Sequence, residues 1–260
     1  MVQRRKNMTI RRVAAILKSF SRETPSLGIS ELSKKLGLAK SVVHGILDTL
    51  GDEGLIAKVG DPPRYVPGGE IFRIAHVVSQ DQMLERAAIP AMEKLHDLTG
   101  ETVLLVGWIE KEVRCLVKIE GKLPVRLAVY PGDKFPLHAG SVGKLMLAFL
   151  PEEEQEKLLK TISFTRFTKR TITDPHALRK ELQKIKEAGY VHSIGERVDD
   201  VASIGAPIRD SSGKVIAGIV VGGLTTHFTL EKLKEWVPAL INATKVVSSK
   251  LGFREEQKER

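Results

Sequence analysis

Three groups of residues could do chemistry. Lys40, Ser41 and His44, with Val42 among them, open a segment whose Val43, Ile46, Leu47 and Leu50 recur at i, i+3, i+4 and i+7. That spacing predicts a helix with the apolar groups inward and Lys40, Ser41, His44 and Asp48 outward. Donors at the exposed start of a helix suit the base edges of a DNA major groove, while basic groups and free amides hold phosphates. The second group is Ser141-Val142-Gly143, preceded by the small-residue turn from Pro136 to Gly140. A helix start there would offer amides and a dipole to a carboxylate, although a plain strand-to-helix junction packed by small residues reads the same way. The third group is catalytic or metal-binding in type. Cys115 sits mid-strand among apolar neighbours, where an inert buried thiol is expected, and His138, His192 and His227 have no metal-ligand spacing. No catalytic residue, metal or cofactor is therefore expected, and His138 is read as a structural hydrogen-bonding residue.

Charge separates the first group from the rest. The chain of 260 residues carries +9, but up to Gly45 ten basic residues, Arg11, Arg12 and Lys40 among them, face only Glu23 and Glu31, a local +8 that leaves +1 for the other 215 residues. Clustered Lys and Arg favour a polyanion, because neutralising phosphates releases counterions. A solvated basic face, with an unstructured tail over residues 1 to 7, is the bland alternative. The lone Cys115 excludes an intramolecular disulfide and a Cys-based zinc cluster. No apolar run approaches the roughly 18 residues that span a bilayer, and the basic start is not followed by a secretory core, so a cytoplasmic protein is expected, with no membrane partner.

These residues need elements to position them. The spacing of Ile10, Val13, Leu17 and Phe20 predicts a first helix from Thr9 to Ser21. Ser30 reads as the N-cap of a second, short helix that Gly37 ends before the third. Leu55 to Lys58 and Arg64 to Val66 flank Gly60-Asp61-Pro62-Pro63, a β-hairpin signature. Three short helices and a hairpin make a winged helix-turn-helix, with Arg64 on the wing as a phosphate or minor-groove candidate. A linker helix follows Pro67-Gly68-Gly69, and another helix from Leu84 to Thr99 carries Pro90 as a kink. Strands are predicted at Thr102–Ile109, Glu112–Glu120 (Val113, Cys115, Val117 and Ile119 on one face), Val125–Tyr130, Tyr190–Ser193, Ser203–Ile208 and Val215–Val221. Helices are predicted at Ser141–Leu150, Pro151–Lys160, Pro175–Ala188 and from a Thr229 cap onward, with a frayed tail at Arg254–Arg260. Strands mixed with helices and joined by hairpins describe an α+β domain with a mainly antiparallel sheet.

Three stretches in this order and spacing carry a resemblance: Leu38-Ala39-Lys40-Ser41-Val42-Val43-His44 with Leu50 and Glu53-Gly54-Leu55; Pro136-Leu137-His138-Ala139-Gly140-Ser141-Val142-Gly143-Lys144; and Gly189-Tyr190 through Ile204-Gly205-Ala206-Pro207 to Val221-Gly222-Gly223. From about Ile10 to Phe253 the chain resembles the IclR family of transcription regulators. The resemblance implies a winged helix-turn-helix over residues 1–69, a linker helix over 70–81 and a GAF/PAS-like effector domain over 82–260. It implies DNA contact by Arg11, Arg12, Lys40, Ser41, Val42, His44 and Arg64. It also implies an effector site formed by Ser141, Val142 and Gly143 with Leu127, Ser193, Ser203, Val220 and Gly222. At the last four positions several family members carry Asp, Cys and two Ser, so the replacements here imply a different, less polar effector. Gly45 also departs from the family, which often has a longer side chain there.

The expected function is a ligand-responsive regulator that binds double-stranded operator DNA as a homodimer or tetramer and senses a small organic effector. The alternatives are an enzyme with a DNA-binding head that turns over a small organic acid in the C-terminal cleft, and a ligand-independent architectural DNA binder.

Overall fold

In a computed structural model, which describes residues 7–21, 24–78, 82–123 and 127–254, the chain divides into two compact units, residues 1–81 and 82–260. Arg4, Arg5, Lys6 and Arg22 of the basic segment, and 255–260 of the charged tail, lie outside the described residues.

The first unit packs α1 (Met8–Leu17), α2 (Ile29–Leu36) and α3 (Lys40–Asp52) around Ile16, Leu32, Val43, Leu47 and Leu50, and closes with a hairpin of β1 (Ile56–Val59) and β2 (Arg64–Pro67). Leu27 and Tyr65 exchange two backbone hydrogen bonds, of 3.0 and 2.9 Å, which tie the α1–α2 connection to the hairpin. Helix α1 is shorter than its apolar spacing predicts. Ile10 is 64% exposed, and Ile16, one position off the predicted stripe, fills the core instead. Ser30 is not the cap of α2: Gly28 is, and the Glu31 carboxylate accepts from the Gly28 amide at 2.7 Å, closing the first turn from inside the helix. Gly37 then turns the chain at φ 64°, the left-handed region a side chain would resist. Helix α4 (Gly69–Val78) ends the unit.

In the second unit α5 (Gln82–Thr99) and α9 (Leu230–Lys250) cover one face of a five-stranded antiparallel sheet, and α6 (Ser141–Ala148), α7 (Glu152–Leu159) and α8 (Pro175–Ala188) cover the other. The strands are β3 (Thr102–Ile109), β4 (Glu112–Ile119), β5 (Val191–Ile194), β6 (Val201–Arg209) and β7 (Val215–Leu224), in the order β4-β3-β7-β6-β5. Two sequence expectations fail here. Pairing shifts from Leu105↔Val117 to Val106↔Cys115, so Leu116 is an extra residue in β4. That bulge breaks the two-residue alternation: Val113 and Cys115 pack with α6, while Val117 and Ile119 pack with α5 and α9. Val125 and Arg126 of the strand predicted at Val125–Tyr130 lie outside the described residues, and its described part is not a strand. Residues 127–130 run without ladder pairing, and the segment beside β4 is instead 132–135, where Cys115 and Phe135 donate to Asp133 and Val113 carbonyls at 3.0 Å.

The two faces of β6 and β7 differ in bulk. Ala202, Ile204, Ala206 and Ile208 with Ala217, Ile219 and Val221 fill the layer under α5 and α9. The alternate positions carry Ser203, Gly205, Gly218 and Gly222, and into this shallow face α6 drives Leu145, close enough that a Cβ on Gly218 would stand 2.5 Å from it. Small residues on a half-covered face leave space, and that space is a cavity.

A cavity over the sheet and an exposed helix face

A cavity of about 420 Å³ lies where the small-residue face runs out beyond Leu145. Its floor is the sheet: Leu104, Val220, Gly222, Ser203 and Ser193, from four adjacent strands. Its roof is Leu127, Ala128, Val129 and Phe135, and its ends are Ala139 to Val142 at the start of α6 and Glu196 to Asp200 after β5. The sequence-predicted residues Leu127, Ser141, Val142, Ser193, Ser203, Val220 and Gly222 all line it. Gly143 does not. Its bare Cα meets the Pro136 carbonyl, where a Cβ would stand 2.0 Å from the oxygen, so this glycine lets the preceding turn cross α6.

The polar groups of the cavity are few and ordered. Ser141 donates to Ser203 through their hydroxyls at 2.7 Å. Ser193 is 4% exposed, and its hydroxyl finds no partner among the described residues. The roof is fastened by Lys118, whose ammonium donates to the Leu127 carbonyl at 2.8 Å. Arg197 lies with its guanidinium 5.3 Å from the Phe135 ring centre and pairs with no carboxylate among the described residues.

The amides at the start of α6 were expected to receive an acid group from a ligand. One carboxylate is already there, and it belongs to the protein. Glu196 accepts from the Gly140 amide at 3.1 Å and, through its other oxygen, from the Lys144 ammonium at 2.6 Å, while Glu181 of α8 takes Lys144 at 3.0 Å. Lys144 is completely buried, so two carboxylates against one ammonium leave that end of the cavity electronegative. Sequence reasoning missed Glu196, Arg197, Asp200 and Phe135. Lys144 carried a signal, since it is the one charged residue of an eight-residue helix that is otherwise apolar but for Ser141, but its partners lie 37 and 52 residues away.

Other reactive types are accounted for by their surroundings. Burial pushes the Cys115 thiol up to about 12, so it stays protonated. His138 is hydrogen-bonded through Nε2 to the Thr165 carbonyl at 2.9 Å and stacked on Phe167. His192, whose buried Nε2 has no partner among the described residues, is held below the usual histidine range by burial and then by the Lys144 charge. Among the described residues no group of three or more His, Cys, Asp or Glu is placed to hold a metal ion, and no helix is long and apolar enough to cross a membrane.

In the first unit Lys40, Ser41 and His44 lie exposed at the start of α3, Val42 is half-buried beside them, and Arg11 is exposed and Arg12 half-buried on α1. His44 Nδ1 is 2.7 Å from the Asp48 carboxylate one turn on. Arg64, expected to reach DNA from the wing, is engaged within the unit. Its guanidinium donates to the Ser26 hydroxyl and carbonyl at 2.9 and 2.8 Å and to Glu31 at 2.9 Å; the Gly28 amide first, and then this Arg64 bond, hold the Glu31 carboxyl below its usual range. Lys58 of β1 is the exposed base on the hairpin.

A helix-turn-helix with a hairpin wing, followed by a unit that holds a cavity between an antiparallel sheet and a helix start, defines a DNA-binding transcription regulator with an effector domain. The comparisons with known proteins agree. The IclR helix-turn-helix domain matches residues 9–60, and the bacterial transcriptional regulator IclR C-terminal domain matches residues 75–249. The chain belongs to the IclR family of transcription regulators. It is 32% identical to the regulator KipR of Bacillus subtilis over 95% of this chain and 98% of that one, and 30% identical to KdgR of Escherichia coli over 95% and 94%. Among solved structures, the Thermotoga maritima IclR superposes with a TM-score of 0.81 at 29% identity, covering 95% of this chain and 99% of that one. An IclR homolog from Microbacterium hydrocarbonoxydans, complexed with 4-hydroxybenzoate, superposes with 0.83 at 25%, covering 94% and 98%.

Proposed function

We propose that residues 1–69 read operator DNA, 70–81 connect, and 82–260 bind a small organic effector in the cavity over Ser193 and Ser203. The chain acts in the cytoplasm as a homodimer or tetramer, so that two α3 helices read half-sites of a pseudo-palindrome. DNA contact falls to Lys40, Ser41, Val42 and His44 on α3, with Arg11 and Arg12 on α1 and Lys58 in place of Arg64. The effector is held by the seven predicted lining residues, without Gly143, and its binding alters DNA affinity only so far as it favours one arrangement of the chain over another.

One observation carries the effector reading: a largely apolar cavity whose lining includes Ser193, a serine hydroxyl that makes no hydrogen bond among the described residues. An open hydrogen-bonding group in such a place is matched by a ligand that supplies the missing bond. The ligand's polar group near Ser193 is uncharged, because Glu196 already places a carboxylate at that end; an acid group, if the ligand has one, lies toward Arg197. The 4-hydroxybenzoate complex of the relative supports a ligand of this size and kind. The relatives are regulators, and with Cys115 protonated and His138 bonded to a carbonyl, we propose that the ligand leaves unchanged.

The test is a thermal-shift screen of small aromatic and aliphatic acids beside their amides, followed by DNA titration with and without each hit. A ligand that raises Tm, shifts DNA affinity and is recovered intact supports the reading. Hits that stabilise Ser203→Leu as well as the parent would remove the cavity from it, and a transformed ligand would restore the enzyme alternative.

A further inference from the structure

We propose that Asp48 fixes the hydrogen pattern of His44, so that His44 reads an exocyclic amine, that of adenine or cytosine, at one position of the DNA site. The proposal rests on the reading of α3 as the DNA-facing helix. His44 and Asp48 are each 57% exposed, one turn apart on the face that carries Lys40 and Ser41. At 2.7 Å from Nδ1, the carboxylate of Asp48 can only accept, so the ring hydrogen stands on Nδ1. In the neutral ring Nε2 then carries a bare lone pair.

The major groove sorts bases by this chemistry. Adenine N6 and cytosine N4 present donors there, whereas guanine offers only N7 and O6 acceptors and thymine an O4 acceptor and a methyl group. A lone pair on Nε2 therefore accepts from the amine-bearing bases and is repelled by the other two. Without the carboxylate, the ring could hold its hydrogen on either nitrogen and would meet either kind of base. Gly45 leaves room for the approach, since no atom lies within 4 Å of the position its Cβ would occupy. Asp48 itself brings a negative charge to a surface that meets phosphates, which weakens binding to every DNA sequence alike. A residue that lowers general affinity while holding a neighbouring reader in one tautomer is a specificity device.

The experiment selects binding sequences from a randomised duplex pool with the full-length parent, His44→Ala, Asp48→Asn and Asp48→Glu, and titrates each protein on its selected duplex and on unselected duplex. The parent is expected to enrich adenine or cytosine about fivefold over guanine and thymine at the position that His44→Ala flattens, the discrimination of one hydrogen bond. Asp48→Asn, whose amide can accept from or donate to Nδ1, should flatten the same position while binding unselected duplex as tightly as the parent or more so. Asp48→Glu, which keeps the carboxylate, should recover part of the preference. The proposal is overturned if Asp48→Asn keeps the parent's preference, if the His44 position selects guanine, or if Asp48→Asn weakens selected and unselected DNA equally. A parent that enriches no sequence would overturn the DNA-facing reading of α3, and this proposal with it.

Discussion

A basic side chain on a wing contacts phosphate only if its donors are open, and Arg64 shows how sequence type alone misleads. Its Nε and NH2 donors are taken by Ser26 and Glu31, so it joins the wing to the start of α2. Arg64→Ala should therefore lower Tm by a few degrees in a thermal melt, whereas Lys58→Ala should leave Tm alone and weaken DNA binding. A melt unchanged in Arg64→Ala would return that residue to the surface. His192 gives a pH prediction. Its folded-state titration lies below the ordinary value of about 6.5, so the unfolded chain takes up the proton first as pH falls, and stability present above about 6.5 is lost below it. Melts between about pH 7.5 and 5.5 should show this loss in the parent and a smaller one in His192→Gln. Equal losses would mean that another group, beyond Lys144 and Glu196 around His192, controls the acid limb.

At the scale of elements, most of the fold was legible because each element announces itself locally. Pro175–Ala188 is bounded by an Asp174 cap that accepts from the Ala177 amide at 2.7 Å and by Gly189 at φ 75°, and Thr102–Ile109 matches its β-rich run residue for residue. What stayed hidden depends on partners distant in sequence. The bulge at Leu116 is a matter of pairing with β3, and the course of 127–130 away from the ladder is tied at Leu127, whose carbonyl accepts from Lys118. The lining serines and glycines were named through family resemblance, but that Ser141 and Ser203 bond one another and that Glu196 sits on Gly140 could come only from the folded chain. Two consequences follow for α6. Lys144→Met leaves Glu181 and Glu196 without their cation and should cost about 3 kcal/mol in denaturant unfolding. Ser203→Leu should fill the cavity, abolish ligand-induced thermal shifts and leave DNA affinity unchanged; retained shifts would place the ligand elsewhere.

At the scale of the whole molecule, the two tasks fall on two compact units, and the cluster of ten basic against two acidic residues up to Gly45 lies in the first. A chain reduced to residues 82–260 should bind no DNA, while one ending at Asp81 should bind weakly and with a steep salt dependence. The central claim is that DNA is read by the exposed start of α3, and the most direct measurement is a fluorescence-anisotropy titration of parent and Lys40→Ala on a duplex selected by the parent, at one fixed salt concentration. Since Lys40 is exposed and off the apolar stripe, the substitution should leave Tm unchanged and raise Kd by about tenfold, in the range of one good base contact. Equal Kd values for the two proteins would contradict the claim.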